Sequence, residues 1–458
     1  MMRRVAALAA LALAGCSLAP AYERPVAPVP PAFPQGEAYP ALAAGALPTV
    51  SFRDLFRDPR LQTLIAQALA ENRDLRVAAA NLAAARAQVR VTRSAQFPQV
   101  DANASATYRR GEGTSYALQG GVSSFELDLF GRLANATAAQ REQALASEAD
   151  TRTVRIGLVA DLTEAWLTYA EDRDLLAIAQ DTASNAARAV QLTRLRLKGG
   201  IAPRTDLSQA EQVLYTAQGD LAEQKTALAQ DGNLIRLLAG TDVDPSLLPG
   251  GLAEIDGQFT ALAPGTSSEV LLLRPDVERA EHLLKAANGD IGVARAELFP
   301  RISLTGLLGL ASDALGALFT GGAFTATAGA GAAYTIFDAG GRRANVAVSE
   351  AQRDAALATY EKAIQTAFRE VADVLAVRGT IGDRLAAARA NTAAAADTAR
   401  LTDARYREGI ENFLASLDAQ RSLYAARRQE AAVTAASLEN LVELYRAVGA
   451  DTFAGAAG

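Results

Sequence analysis

The stretch "ELFPRISLTGLLG" (Glu297–Gly309), read together with "AQFPQVDANASAT" (Ala95–Thr107), decides the fold. In each, a Phe-Pro pair closes a helical pattern, and the chain then alternates with period two. Proline cannot continue a helix, but it fits the first position of a strand. Phe97 and Phe299 stand 202 positions apart, so one chain makes the same passage from helix to strand twice.

After the first pair, Val100, Ala102, Ala104, Ala106 and Tyr108 alternate with Asp101, Asn103, Ser105, Thr107 and Arg109; a second strand follows through "YALQGGVSSFELDLF" to Phe130. After the second pair, Ile302, Leu304, Gly306, Leu308 and Leu310 share one face, and "FTATAGAGAAYTIF" (Phe324–Phe337) alternates again. These segments have about the length of tilted transmembrane strands, ~9–11 residues or slightly more. Leu315–Phe337 carries no charge and has a rival reading as one transmembrane helix. Its Gly, Ala and Thr content and its matching segment in the first half favour a strand hairpin. Four strands cannot close a transmembrane barrel, which needs roughly eight or more. Open edges are not tolerated in lipid, so several chains must share one barrel. A globular sheet is the other alternative.

Between the strand pairs the chain is helical. Proline is absent from Gln99 to Ala202 and from Arg301 onward. Arg132–Lys198 and Arg342–Arg407 read as nearly uninterrupted helices, each reaching on the order of 100 Å; such lengths suggest a coiled coil or a helical barrel. Leu357, Tyr360, Ile364, Ala367, Val371 and Val374 step by three and four, as do Val159, Leu162, Trp166 and Tyr169, which marks the faces that pack on neighbouring helices. Both helices end at a Gly-containing turn, "LRLKGGIAPRTD" and "ARYREGIENFLA", that leads into another long helix. Gly200 and Gly409 are 209 positions apart, and Phe130 and Phe337 are 207 apart. The chain is a tandem repeat of strand pair plus helical hairpin.

Met1–Arg4 is a positive start, Val5–Ala14 is an apolar run, and Leu13-Ala14-Gly15-Cys16 resembles a bacterial lipobox. Cys16 is the single cysteine of the chain, so an intrachain disulfide is excluded and acylation accounts for the odd thiol. Eight of the 16 prolines lie between Pro20 and Pro48, which predicts an extended tether from lipid to body. Asp58 caps the next helix and Pro59 occupies its first position. The expected division is a signal peptide at 1–15, a lipidated Pro-rich segment at 16–57, and a first repeat at 58–240 with its strand pair at about 98–130. An equatorial connector at 241–270 follows, then a second repeat at 271–449 with strands at about 301–337, and a tail at 450–458.

One His and one Cys nearly exclude a His-based triad, a Cys–His nucleophile or a Cys/His zinc site. His282, in "ERAEHLLKAAN", reads as a surface or interface residue. No Gly-rich phosphate loop or nucleophile elbow occurs. A net charge of −6 with mixed signs gives no footprint for nucleic acid. No enzyme, metal or cofactor is expected, apart from a covalent lipid on Cys16.

The long matches "LFRDPRLQTLIAQALAENRDLRVAAANLAAARAQ", "LRPDVERAEHLLKAANGDIGVARAELFPRISLTG", "FDAGGRRANV" and "YREGIENFLASLDAQRSLYAARRQ" resemble the outer membrane factor family. These are the TolC-like exit ducts, and the resemblance is to the acylated branch that partners resistance–nodulation–division pumps. It implies a mixed α/β membrane protein: a homotrimer with a shared twelve-stranded barrel, a long α-helical hairpin barrel across the periplasm and a small equatorial domain. It implies three partners besides the trimer's own copies: a periplasmic adaptor, an inner-membrane efflux pump and outer membrane lipid. Carried over by position, Cys16 is the lipid anchor. The turns at Gly199–Pro203 and Glu408–Asn412 form a periplasmic tip that meets the adaptor through Gly199, Gly200, Ile201, Gly409 and Ile410. Leu414, Asp418 and Arg421 match a constriction there, with Tyr406 adding inter-helix hydrogen bonds. The alternative is that Asp418 and Arg421, at i and i+3, form only a surface pair. The first repeat has Ser208 and Gln209 opposite Leu417 and Asp418, so only Asp206 is left to substitute. The resemblance implies passive export of small molecules; a protein-secretion duct and a periplasmic scaffold lipoprotein are the rivals.

Overall fold

The computed structural model describes residues 17–40, 51–111, 113–260 and 267–449. Cys16, the expected signal peptide and the expected tail at 450–458 lie outside the described residues. The principal elements are α1 (Pro59–Glu71), α2 (Arg73–Ser94), β1 (Asp101–Arg109), β2 (Gly113–Leu127), α3 (Arg132–Lys198) and α4 (Arg204–Ala239). They continue with α5 (Pro275–Ala296), β3 (Arg301–Ser312), β4 (Phe324–Ala333), α6 (Gly341–Arg407) and α7 (Phe413–Val448). Helices α3 and α6 both have 67 residues, and α4 and α7 both have 36. The repeat read from the turns is therefore kept at helix length as well. Its two halves are not the two compact units, which take Met1–Ala27, Ala79–Asp150 and Asp276–Ala363 for one, and Pro28–Ala78, Thr151–Pro275 and Ile364–Gly458 for the other.

The first unit contains the sheet, antiparallel in the order β1-β2-β3-β4. Its register separates two faces. Ala104, Leu118, Leu310 and Phe324 lie in one cross-strand row, while Asn103, Gln119, Gly309 and Thr325 lie in the next row on the opposite face. The apolar rows continue through Val122, Gly306 and Ala328, then through Phe125, Leu304 and Ala330. A bulge between Val122 and Phe125 keeps both side chains on that face, where strict alternation would have parted them. Leu304, Leu308, Phe324 and Leu118 are all exposed. The rival transmembrane helix at Leu315–Phe337 gives way to a short 3₁₀ turn and β4. No helix among the described residues is long and apolar enough to cross a membrane.

Two strand ends fall short of the sequence reading. β2 stops at Leu127 rather than Phe130, because Asp128 leaves the ladder and accepts from the Ala134 N–H (2.7 Å) at the start of α3. β4 stops at Ala333 rather than Phe337, because Asp338 accepts from Gly340 N–H and Arg342 N–H (both 3.1 Å). Each Asp thus satisfies N–H groups that a helix start leaves open. Phe130 then stacks on Phe299 at 4.5 Å, so the second Phe-Pro ring also fastens the turn into α3.

The start of the described chain is extended as expected, but it is docked along its length. In the first unit, Asn288 donates to the Pro20 carbonyl (2.7 Å) and Ser17 donates to Asn135 (2.8 Å). Arg24 clamps Glu281 through two nitrogens, at 2.6 and 3.1 Å. Burial would raise the Glu281 carboxyl, but the hydrogen bonds from Arg24 and Lys285 outweigh it and hold it below its ordinary value. His282 meets Glu142 at 2.6 Å, which agrees with an interface histidine. In the second unit, Phe33 is buried and stacks on Phe368 at 5.4 Å. A free spacer would leave that ring in water.

The second unit carries a core around Trp166, Phe56 and Tyr445, all essentially inaccessible to solvent. The Trp166 indole donates to the Leu247 carbonyl at 3.0 Å, and Phe56 meets Phe259 and Tyr445 at 5.4 Å. Asp58 caps α1 by accepting from Arg60 N–H at 2.8 Å, worth ~1 kcal/mol. Of the packing stripe on α6, Tyr360, Ile364, Ala367 and Val371 are buried; Leu357 and Val374 are only half-buried, and Leu375 takes the next inward position.

Candidate functional site

The two helical hairpins of the second unit turn with the same hydrogen bonds. Gly200 adopts φ +70° and Gly409 φ +74°. Ile201 N–H reaches back to the Arg196 carbonyl, and Ile410 N–H to the Arg405 carbonyl, both at 2.9 Å. These are the six-to-one bonds of a Schellman end, in which the left-handed residue is glycine because a Cβ is disfavoured there. Asn412 then caps α7 by accepting from Ala415 N–H (2.9 Å), whereas Pro203 offers α4 no side-chain cap. The turns leave Ile201 and Ile410 exposed, an apolar residue at each tip.

Just inside the tips, the four helices are tied by one small core. Val190, Ala210, Tyr406, Phe413 and Leu417 are buried together, drawn from α3, α4, α6 and α7. Tyr406 lies 5.4 Å from the Phe413 ring, and the Arg196 guanidinium sits 4.4 Å over its face. Within one copy Tyr406 is held by packing against Phe413 and by this cation–π contact. Leu417 faces this core, and Leu414 is exposed. Asp418 and Arg421, with Leu414, fall at i, i+4 and i+7 on α7, a single stripe. Their side chains are 63% and 53% exposed and 3.7 Å apart. Within one copy this is the surface pair, worth ~0.2–0.5 kcal/mol. Asp206 is half-buried in the first turn of α4.

One contact near these residues had no sequence signal. The Tyr424 hydroxyl donates to Asp220 at 2.8 Å, joining α7 to α4. Burial, then the bond to this carboxylate, raises the phenol above its ordinary value. A tyrosine and an aspartate 204 positions apart on two amphipathic helices form no motif.

Farther from the tips, acidic residues on α3 face α7 and α4. Burial pushes Glu164 up to about 8, aided by its hydrogen bond with Glu443 and opposed by Arg446. Burial and the charges of Glu439, Asp172 and Asp174 push Glu171 to about 7. Asp231 rises to about 7 through burial and a hydrogen bond shared with Asp172. Among the described residues no group of His, Cys, Asp and Glu has the geometry to hold a metal ion. The folded chain holds these protons more tightly than the unfolded chain, so they favour folding most below the ordinary carboxylate range. That contribution is lost progressively as pH rises from the ordinary carboxylate range to about 7 to 8, and is gone above it. The melting temperature is expected to fall by several degrees across that window, and Glu164→Gln/Asp231→Asn to flatten the fall. A wild-type melting temperature that rises with pH over the window would contradict this.

The family model for outer membrane efflux proteins matches residues 64–241 and 266–450. The toluene efflux pump outer membrane protein TtgC of Pseudomonas putida is 41% identical over 460 residues, covering 97% of this chain and 94% of that protein. Outer membrane protein OprJ of Pseudomonas aeruginosa is 37% identical over 458 residues, covering 97% and 95%. The open-state structure of the MtrE outer membrane channel of Neisseria gonorrhoeae superposes with a TM-score of 0.86 at 32% identity, covering 95% of this chain and 98% of that one. A CusC structure gives 0.85 at 34% identity, covering 94% and 99%.

Proposed function

The chain belongs to the outer membrane efflux protein family, and from that premise we propose that it is the passive exit duct of a tripartite export system. The observation that carries this reading is the sheet, with β1 and β4 as its edges. Cross-strand rows on one face are apolar from Ala104, Leu118, Leu310 and Phe324 through Phe125, Leu304 and Ala330. The face opposite carries the polar residues Asp101, Asn103, Gln119, Thr305, Thr325 and Glu126. In lipid the apolar rows face the acyl chains, and the polar rows face a water-filled lumen. The edges β1 and β4 must be paired, and pairing with the edges of two further copies closes a twelve-stranded homotrimer. An adaptor docks on the tips at Gly199, Gly200, Ile201, Gly409 and Ile410, with Ile201 and Ile410 supplying apolar contacts. An inner-membrane pump delivers the cargo. Relatives named for toluene and antibiotic efflux support small organic molecules as the cargo class.

The test is single-channel recording from the purified full-length chain in planar bilayers. Discrete conductance steps from a crosslinked trimer are expected; insertion without conductance would overturn the duct. The anchor is checked separately. Palmitate labelling should be present in wild type and lost in Cys16→Ala, and unlabelled wild type would remove the lipid.

A further inference from the structure

Between the two hairpins of the second unit, just beyond the core at Tyr406, lies a cavity of about 530 Å³. That is enough for a small organic ligand. Tyr406 and Phe413 border it at one level, and Tyr424, bonded to Asp220, at another. Leu192, Val213 and Leu423 add aliphatic surface.

The charge on its walls is unbalanced. Five arginines, Arg188, Arg400, Arg407, Arg421 and Arg427, line the cavity against two aspartates, Asp220 and Asp403. Both carboxylates are already engaged, Asp403 by Arg407 at 2.6 Å and Asp220 by the Tyr424 hydroxyl. Arg400 is answered from its own helix by Asp397 at 2.6 Å. Arg421 reaches Asp418 only at 3.7 Å. Arg188 donates to the neutral side chains Ser184 and Asn185. Arg427 is half-buried and has no ion-pair partner among the described residues. A guanidinium withdrawn from water without a counter-ion is costly, and an anion placed against it recovers a charge-assisted hydrogen bond. An inorganic anion would leave the rings and aliphatic walls wet. A neutral apolar molecule would leave the half-buried Arg427 guanidinium unanswered.

We infer that this cavity binds a small amphiphilic organic anion, with one carboxylate or sulfonate head toward Arg427 and Arg188 and a flat apolar body against the aromatic wall. The inference concerns binding and stands whether or not the chain conducts. The probe is naphthalene-2-sulfonate, titrated calorimetrically into the full chain in lipid nanodiscs, with empty nanodiscs subtracted and 2-naphthalenemethanol as the neutral comparator. Saturable sulfonate binding at least about tenfold tighter than that of the alcohol is expected, as one charge-assisted hydrogen bond supplies. Arg427→Gln should weaken it about tenfold, and Arg188→Gln, from the facing hairpin, should weaken it independently if the first variant folds poorly. Arg236→Gln, whose parent side chain pairs with Asp242 outside the cavity, should bind as wild type does. The inference fails if sulfonate binding is absent, if it only matches the alcohol, or if both cavity variants bind as tightly as wild type.

Discussion

Replacing Asp418 and Arg421 together with alanine should raise single-channel conductance several-fold over the wild-type chain. The geometry within one copy makes the point sharper than the sequence did. At 3.7 Å and more than half exposed, the pair contributes too little inside a single copy to hold an aperture shut. Yet Leu414, Asp418 and Arg421 occupy the one stripe of α7 that its own core leaves free, while Phe413 and Leu417 take the packed side. If the stripe closes a passage, it does so against the same stripe of other copies. A ring of carboxylates repels itself, and guanidinium pairing between copies is what can hold it. Arg421→Ala alone should therefore open the channel nearly as far as the double variant, because it leaves the acidic ring uncompensated. Conductance unchanged in both variants would move the barrier elsewhere on the duct. Conductance raised only by Asp418→Ala would make the carboxylate, not the pairing, the closing element.

What the sequence revealed here follows the range of the interactions involved. Helix ends were legible because they are local. Pro59 placed the start of α1, and the long proline-free runs and the glycines at 200 and 409 placed α3 and α6 almost to the residue, with the starts of α4 and α7. The strands were legible because one sheet face is apolar, which imposes a period of two. The strand ends were not, since Asp128 and Asp338 could be recognised as caps only once the helix starts were placed. Docking of the Pro-rich start was hidden as well. Nothing in that segment's composition announces that Phe33 will meet Phe368, or that Arg24 will find Glu281. At the candidate site, the tips and the Leu414 stripe were visible through the resemblance. The packing role of Tyr406, the Tyr424–Asp220 bond and the buried carboxylates depend on residues brought together across helices, and no local pattern encodes them.

The repeat also predicts which glycines the fold cannot surrender. Gly240 and Gly449 end α4 and α7 at equivalent positions, with φ +72° and +65°. In each half a side chain from the start of the unit's other helices returns to the same place. Asn72 donates to the Leu238 carbonyl at 3.0 Å, and Arg274 to the Ala447 carbonyl at 2.6 Å. Their surroundings differ. A Cβ on Gly240 would lie 2.5 Å from the Glu71 backbone oxygen, an atom fixed by α1. On Gly449 it would come within 3.1 Å of Arg274 Cγ and 3.3 Å of Pro275 Cδ, a tight but milder approach than at Gly240. At the tip glycine Gly200, with nearly the same φ of +70°, it would meet nothing within 4 Å. Alanine at Gly200 thus carries the left-handed backbone term alone, ~1 kcal/mol. Alanine at Gly240 adds a backbone clash, for a total of about 3 kcal/mol or more. Gly449→Ala should fall between them. Thermal unfolding of the three variants in one detergent should rank Gly240→Ala lowest and Gly200→Ala closest to wild type. A Gly200→Ala loss equal to that of Gly240→Ala would show that φ alone sets the penalty and that the approach of α4 to Glu71 contributes nothing.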